Sequence, residues 1–395
     1  MQQESSVKKS SLAVVYVTVF VDLLGFGIIL PLLPFYAMQF GASGLWVGIL
    51  ATAYSAAQFA GAPVIGRLSD RFGRRPVLLV ALAGSVLSLT LAGLATSLYV
   101  LIAARALAGL FGGSIAAAQA YVADVTAPEE RSKYMGLLGA SIGMGFVFGP
   151  AIGAALSSFG FGTAALAAAG IALANLIGAW FLLVESRAVG DGASRRRVFF
   201  SGISRAMQTQ TLRAVLLSGF FVTFAFVGME TTFALLGAQR FGLTAQGLGY
   251  VFTYIGVVVA VVQGGLIGRM VRSHGEQRVA LMGAVLMMMG LTAIPLAPTL
   301  VWSIIALSVL AAGQAFTSPT LATMLSRSTN ADEQGEILGL SQSLAAAARG
   351  IMPVVAGWLY DFGVAFPYIL GATVSLIAAA LVSSAQFGGG PVRTK

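Results

Sequence analysis

The sequence predicts an all-α membrane protein in which twelve transmembrane helices form two pseudo-symmetric six-helix bundles. The chain is 57% hydrophobic and only 9% charged, whereas soluble domains carry roughly 25% charged residues. Apolar runs of about 20 residues, the length that spans a ~30 Å hydrocarbon core, recur from end to end. A sequence frame also repeats after about 200 residues, which indicates a duplicated architecture.

The apolar runs favour helices over barrel strands, which have about 10 residues and alternate apolar with polar side chains. These runs are longer and are apolar on every face. We place the twelve helices at 12–37, 46–66, 76–96, 99–121, 134–156, 164–184, 212–236, 246–267, 279–297, 300–325, 337–359 and 365–386.

The repeat is clearest in two charged turns between apolar runs. Gly66–Arg75 reads Gly-Arg-Leu-Ser-Asp-Arg-Phe-Gly-Arg-Arg, and its frame returns 202 residues later at Gly268–Gln277. Gly149-Pro150 is likewise matched by Met352-Pro353, 203 residues on. Duplicated halves in an apolar chain point to a membrane transporter with its substrate site between the halves. The predicted domains are 1–185, a cytoplasmic linker at 186–212, and 213–395.

The net charge of +9 is explained by membrane topology rather than by nucleic-acid binding. Of the 23 Lys and Arg residues, 20 fall in alternate loops, whereas the opposite loops hold only Arg240. This asymmetry is the positive-inside pattern of a multi-pass membrane protein. We therefore expect both termini on the cytoplasmic side of a bacterial inner membrane, and no nucleic-acid partner.

Several kinds of chemistry are excluded by residue counts. The chain has no cysteine, so it forms neither disulfides nor thiolate metal sites. None of its four lysines follows Gly in a Walker A frame. We expect no cofactor and no enzymatic activity, and any uphill transport must use an ion gradient or a partner protein.

Four ionisable residues remain inside the predicted membrane helices: Asp22, Arg105, Glu230 and Arg349. A charge near a helix centre costs at least ~2.5–3.5 kcal/mol on insertion scales, so each is a candidate functional residue. Asp22 lies ten residues into helix 1, about 15 Å deep by helical rise. A carboxyl group held away from water takes up a proton more readily, which is the chemistry of proton coupling.

Each of these residues also has a structural interpretation. Arg105 could clamp backbone carbonyl groups, and Arg349 could neutralise a helix end or a carboxylate. Glu230 could face water at a cavity mouth. A purely structural role fits Asp22 least, because Gly25 and Pro31 loosen the helix beside it.

Polar amides within the apolar runs are candidates for lining a substrate cavity, or they form hydrogen bonds between helices. The candidate substrate-binding residues are Gln58, Gln119, Phe224, Glu230, Gln314 and Gln342. Phe224 belongs to a group of phenylalanines that could form an adaptable aromatic wall, although packing also explains many of them.

These features resemble the major facilitator superfamily, and within it the twelve-helix drug/proton antiporters of the tetracycline-efflux group. The resemblance covers almost the whole chain and is weakest in the linker and tail. The segment Gly66–Arg75 is similar to the superfamily's signature between helices 2 and 3, whose charged residues form a cytoplasmic gate. The resemblance implies a gate at Gly66, Asp70, Arg71, Gly73, Arg74, Asp124 and Arg131.

Two further signatures are matched with substitutions. Arg105 and Gly109 resemble the helix 4 signature, in which the arginine is linked to proton transfer, but Ala108 and Phe111 replace its usual Gln and Gly. The helix 5 antiporter signature is similar to Gly136, Gly145, Gly149, Pro150 and Gly153. Such a row of small residues allows helix 5 to pack closely on its neighbours.

The resemblance implies a transporter that exports lipophilic drugs in exchange for protons, works as a monomer and rocks its two halves about a central site. The helix 8 histidine and the helix 9 or 10 acid found in some tetracycline pumps have no match here, which puts tetracycline itself in doubt. One alternative is a proton-coupled importer of a metabolite such as a sugar. Another is a sensor or lipid-handling membrane protein without coupling.

Overall fold

The structure is a computed structural model that describes residues 2–112, 114–126, 128–186, 209–329 and 334–385. Within these ranges the side chains of 2–10, 63, 70, 116, 128, 129, 131, 132 and 334–336 lie outside the description. The described chain is almost entirely helical and contains no strand, which confirms the predicted all-α fold class.

Fifteen α-helices follow one another along the described chain. They are α1 Gln2–Ile29, α2 Leu33–Gln39, α3 Gly44–Phe72, α4 Arg74–Gly93, α5 Leu98–Phe111, α6 Ser114–Val125, α7 Pro128–Leu156, α8 Phe161–Leu182, α9 Gln210–Phe241, α10 Ala245–Val261, α11 Ile267–His274, α12 Glu276–Ala293, α13 Leu300–Arg327, α14 Gln334–Phe362 and α15 Phe366–Ser384. A π-helical segment, Val262–Leu266, joins α10 to α11.

Eleven helical segments among the described residues are long and apolar enough to cross a membrane. The remaining predicted span, 99–121, is divided between α5 with 14 residues and α6 with 12. A single crossing needs about 20 residues, so neither piece crosses alone. Among the described residues the structure therefore has eleven spans and one divided segment, so the expected count of twelve is not exactly reproduced.

The predicted first helix, 12–37, is interrupted in the structure. α1 ends at Ile29 and α2 begins at Leu33, with Pro31 and Pro34 at the junction. Proline lacks an N–H and its ring clashes with the carbonyl of the preceding turn, but it is tolerated in the first turn of a helix. Pro34 accordingly lies in the first turn of α2.

The chain forms two compact units. The first unit comprises Met1–Arg195 with Thr231–Val257, and the second comprises Arg196–Glu230 with Val258–Lys395. In the first unit, α1 packs against α7 and α8, α3 packs against α5, and α4 packs against α8 and α5. In the second unit, α12 packs against α13 and α15.

The glycine row of α7 brings this helix into close contact with α1. A Cβ atom built on Gly149 would lie 2.7 Å from Gly27 Cα, and one on Gly153 would lie 2.6 Å from Ile28 O. Real Cβ atoms essentially never approach so closely, so larger residues at these positions would separate the helices. The predicted close packing of this row is thus present at the part of α7 that faces α1.

Candidate functional site

A cavity with several polar groups on its wall lies in the first unit, lined by α1, α3, α4, α5 and α6. The polar groups on its wall come from Asp22, Tyr54, Ser85, Ser88 and Arg105. About 60 Å³ of the cavity can hold the centres of water molecules. One water needs about 10–15 Å³ of such space, whereas pockets that bind drug-sized ligands have volumes of about 300–1,000 Å³. The cavity therefore has room for several waters and not for a drug.

The carboxylate of Asp22 is held by two serine hydroxyls. Ser85 Oγ of α4 donates to Asp22 Oδ1 at 2.8 Å, and Ser114 Oγ of α6 donates to Asp22 Oδ2 at 2.5 Å. A hydroxyl group can donate to a carboxylate and can also accept from a protonated carboxyl group. The site can thus satisfy the hydrogen bonds of Asp22 in either protonation state.

Arg105 is buried beside the same cavity. Its guanidinium lies 4.6 Å from the ring centroid of Tyr54 and 5.4 Å from that of Phe26. Aromatic faces attract a cation, and the attraction strengthens when water is excluded. Two of the four predicted intramembrane charges, Asp22 and Arg105, therefore share one cavity wall.

Close helix packing places Tyr54 beside Arg105. A Cβ atom on Gly109 of α5 would collide with the Tyr54 carbonyl oxygen of α3, and one on Gly61 would lie 2.5 Å from Leu110 O. Gln58 Nε2 donates to Gly112 O at 2.9 Å and to Tyr54 Oη at 3.3 Å. Gln58 thus links α3 to the end of α5 and supports the aromatic wall.

The other candidate substrate-binding residues lie in different environments. Gln119 and Gln342 are exposed. Gln314 is half-buried, and its buried Oε1 has no hydrogen-bond partner among the described residues. Phe224 packs against Phe220 with ring centroids 5.6 Å apart.

The remaining two intramembrane charges belong to the second unit. Glu230 is half-buried on α9, and Arg349 is exposed on α14. Their roles, like those of the amides, remain predictions.

The charged turn between α3 and α4 is ordered around a buried arginine. Gly73 has φ 98°, a conformation that favours glycine. Arg74 Nε donates to Asp124 Oδ2 at 2.9 Å in an ion pair, and its Nη1 donates to Ser69 Oγ at 3.0 Å. The pair joins the start of α4 to the end of α6, and both of its residues were predicted for the gate.

The other predicted gate residues are less constrained. Arg71 is exposed, with its guanidinium 5.2 Å from the ring centroid of Phe72. A Cβ atom on Gly66 would meet nothing within 4 Å, so the described structure gives no steric reason for glycine there. The side chains of Asp70 and Arg131 lie outside the described residues.

Glu185 is a member of the charged turn that the sequence analysis missed. Its carboxylate accepts from Arg74 N at 2.8 Å and from Arg75 N at 3.2 Å. It also fills the space beside Gly73, where a Cβ atom would lie 2.7 Å from Glu185 Cδ. A carboxylate at a helix start satisfies free N–H groups and complements the helix dipole. The available signal was an acid placed directly after the sixth apolar run.

Tyr54, Ser85 and Ser114 were also missed. Small hydroxyl side chains and tyrosines occur throughout the apolar runs, and nothing local separates those that meet Asp22 from the rest. Their role follows only from the packing of α3, α4 and α6 around α1.

A family model described as Major Facilitator Superfamily matches residues 15–351 and 266–388. The chain belongs to the major facilitator superfamily. It is therefore a membrane transporter and not an enzyme, which confirms both expectations.

Among curated relatives, the class C tetracycline resistance protein of Escherichia coli is 31% identical over 93% of this chain and 95% of its own length. Multidrug resistance protein 2 of Bacillus subtilis is 27% identical over 96% of each chain. The crystal structure of the human organic anion transporter MFSD10 (TETRAN) superposes with a TM-score of 0.70 at 24% identity, covering 95% of this chain and 99% of that one. That structural likeness supports the fold.

Proposed function

We propose that this transporter exports lipophilic drugs, tetracycline-like compounds or a broader set, in exchange for protons. The observation that carries the proposal is the placement of Asp22 on a water-sized cavity beside Arg105. The names of the relatives, which include tetracycline and multidrug resistance proteins, support the drug as cargo.

In this proposal Asp22 is the proton carrier. Its two serine partners accommodate both the acid and the carboxylate. Arg105 supplies a positive charge on the same wall, which favours the carboxylate and so promotes proton release. Proton uptake and release at Asp22 are then coupled to exposure of the cavity to one side of the membrane and then the other.

In the proposal, alternating access results from motion of two bundles, 1–185 and 213–395. A linker at 186–212 joins them, and most of this linker lies outside the described residues. The Arg74–Asp124 ion pair holds one state of the gate, in which Gly66, Asp70, Arg71, Gly73 and Arg131 also take part. An ion pair that forms in only one conformation biases a two-state equilibrium by its interaction free energy.

Drug binding requires a larger space than the Asp22 cavity. We assign it to the remaining predicted residues, namely Gln58, Gln119, Phe224, Glu230, Gln314 and Gln342. Glu230 and Arg349 are proposed, with Asp22 and Arg105, for proton coupling. Phe224 supplies an apolar contact surface, and Glu230 favours cationic substrates.

The decisive experiment is transport by the purified protein in proteoliposomes with an imposed pH gradient. Tetracycline, ethidium and a sugar such as xylose serve as probes, with and without a proton ionophore. Antiport predicts that drug movement follows proton movement in the opposite direction and stops with the ionophore. Sugar movement in the same direction as protons would establish the importer, and movement of no probe would favour a sensor or lipid-handling protein.

The proposed topology places both termini in the cytoplasm of a bacterial cell. Reporter fusions at Gly190 and after Lys395 should both give cytoplasmic signals. A periplasmic signal from either fusion would contradict the topology while leaving the fold unaffected.

A further inference from the structure

A second space in the first unit is an apolar groove between α3, α4 and α5, with a volume of about 750 Å³. The residues that line it are apolar and include Val64, Leu68, Phe72, Val80 and Leu110. These five are exposed, so the groove opens on the outside of the unit. Phe72 lies just beyond the apolar span Gly44–Ser69, so one end of the groove reaches the charged turn.

The groove and the Asp22 cavity approach each other along α4. Val80 and Ala81 line the groove, whereas Ser85 and Ser88, about one turn further along, line the cavity. Gly84 lies between these two pairs and lines neither space. The boundary between the two spaces on α4 is therefore at Gly84.

The ring of Phe111 fills this boundary. A Cβ atom built on Gly84 would collide with the ring and would lie 2.6 Å from Phe111 Cβ, so only glycine leaves room for the ring. On α5, Phe111 lines the groove, whereas Ala108 and Gly112, its neighbours on either side, line the cavity. The ring thus lies between the apolar groove and the cavity that contains Asp22.

The boundary between α3 and α5 is closed by the backbones of these helices. A Cβ atom on Gly61 of α3 would lie 2.5 Å from Leu110 O, and one on Gly109 of α5 would collide with Tyr54 O. The two helices therefore leave no gap at this level. Between α4 and α5, by contrast, the boundary is closed by a side chain, which can move by rotation about its own bonds.

A proton carrier needs such a boundary. If the carrier is open to both sides of the membrane at once, protons flow down their gradient without cargo, so alternating access requires one side to be closed. Phe111 stands where the similar helix 4 signature usually has Gly. A ring at this boundary is therefore a feature of this chain and not of the signature that it resembles.

We propose that the Phe111 ring, seated against Gly84, is the seal that closes the Asp22 cavity towards the groove and the charged turn. While the ring is in place, water in the groove does not reach the carboxyl group. When the ring leaves Gly84, water enters, and Asp22 gives its proton to that water or takes one from it. This inference rests on the proposed role of Asp22 as the proton carrier.

The test measures proton flux into proteoliposomes under a pH gradient without drug, with potassium and valinomycin present to balance charge. The wild type should give the flux of liposomes without protein. Phe111→Ala should raise the flux above wild type by about tenfold or more, because loss of an apolar ring of this size favours the open boundary by at least that factor. Phe59→Ala, on α3, is the matched control: Phe59 is 60% exposed and lines neither space, so the flux should stay at the wild-type level.

A second pair of variants displaces the ring without removing it. The methyl group of Gly84→Ala would occupy the place of the ring, and this variant should leak as Phe111→Ala does. Gly170→Ala is the matched control on α8, because its Cβ atom would meet nothing within 4 Å, and it should not leak. Thermal unfolding of each variant verifies that it is folded.

Wild-type flux in folded Phe111→Ala and Gly84→Ala would overturn the seal, whichever residue carries the proton. An equal leak in Phe59→Ala would also contradict it, because the leak would then come from general loosening of the helices. Asp22→Asn/Phe111→Ala separates the seal from the proposed function. Loss of the leak in this double variant supports both, whereas a leak that persists retains the ring as the barrier and refutes Asp22 as the proton carrier.

Discussion

Arg105 of the first unit and Leu307 of the second occupy equivalent positions of the repeat, 202 residues apart. Ser85 corresponds at the same distance to Met287. Leu307 and Met287 are buried in the apolar core of the second unit. At these two positions the first unit has side chains that line the cavity, and the second has buried apolar side chains.

The first helical regions of the two repeats can be aligned on the glycine that follows each of them. Gly41 and Gly242, 201 residues apart, both have positive φ. At that distance Asp22 corresponds to Thr223, whose Oγ1 donates to Gly219 O within its own helix. The two units therefore share a backbone plan, but at this position the first unit has a carboxylate bonded to neighbouring helices and the second has a threonine bonded within its own helix.

The charged turns of the two units differ in another way. Gly73 and Gly275 both have positive φ, and the residue that follows each forms an ion pair with the end of a later helix. In the first unit this pair is Arg74–Asp124, and in the second it is Glu276–Arg327 with the charges exchanged. The geometry of the turn and the presence of a pair were retained in both units, while the sign of each charge was not.

The two ion pairs differ in burial, and this difference is the reason for proposing the gate at the first turn. The Arg74 side chain is 9% exposed, whereas that of Arg327 is 65% exposed. Exposed ion pairs contribute about 0–1 kcal/mol, while hydrogen bonds to charged groups contribute about 1.5–3 kcal/mol. Glu185 adds to the first turn a carboxylate that accepts from the backbone N–H of Arg74.

The largest expected effect concerns Asp22 and its equivalent. Asp22→Asn should abolish drug transport driven by a pH gradient, because the amide cannot exchange a proton, while Thr223→Val should leave it close to wild type. The measurement is substrate-induced proton release from purified protein, with Glu230→Gln as a third variant of smaller effect. Normal release from Asp22→Asn and none from Glu230→Gln would assign the proton to Glu230 instead.

The two turn glycines should differ in how well they tolerate alanine. Gly275→Ala should cost about 1 kcal/mol of stability, because a side chain is strained at positive φ and nothing lies within 4 Å. Gly73→Ala should cost more, since its Cβ atom would also displace the Glu185 carboxylate. Thermal unfolding of both variants in detergent measures the difference, and equal losses would show that the Glu185 contact contributes little.

The two ion pairs can be compared by removing one charge from each. Asp124→Asn should lower stability by about 1.5–3 kcal/mol, because it weakens a charged hydrogen bond to a buried arginine. Arg327→Gln should lower it by about 0–1 kcal/mol. Double-mutant cycles with Arg74→Gln and Glu276→Gln give the coupling energies, and a larger value for the second pair would refute the burial argument.

The last comparison concerns the third residue of each turn. Arg75 Nη2 donates to Trp180 O at 2.7 Å, and Gln277 Nε2 donates to Val382 O at 2.9 Å and Ala385 O at 2.8 Å. Arg75→Leu and Gln277→Leu should each cost about 0.5–1.5 kcal/mol per lost hydrogen bond. The midpoint of thermal unfolding measures this loss. A midpoint that changes little in either variant would show that these hydrogen bonds do not stabilise the ends of α8 and α15.

The regions that the sequence predicted best are those whose signals are local. The apolar runs, the charged turn at Gly73 and the glycine row of α7 each depend on neighbouring residues, and all are present in the structure. The predicted continuous helix at 12–37 was wrong, although Pro31 and Pro34 are themselves a local signal. The position of charges within the apolar runs drew attention to Asp22 and Arg105, and the structure places both residues on the wall of one cavity.

The sequence by itself determined that this protein lies in a membrane, that it contains a repeat and that charged residues lie within its membrane helices. Hydropathy, the period of the repeat and the free-energy cost of a charge in the membrane are all properties of the chain. Only the tertiary structure decided which groups meet those charges. Ser85 and Ser114 reach Asp22 across 63 and 92 residues, and Glu185 reaches Arg74 across 111. Such contacts depend on which helices pack together, and many alternative helix pairings satisfy the same apolar pattern.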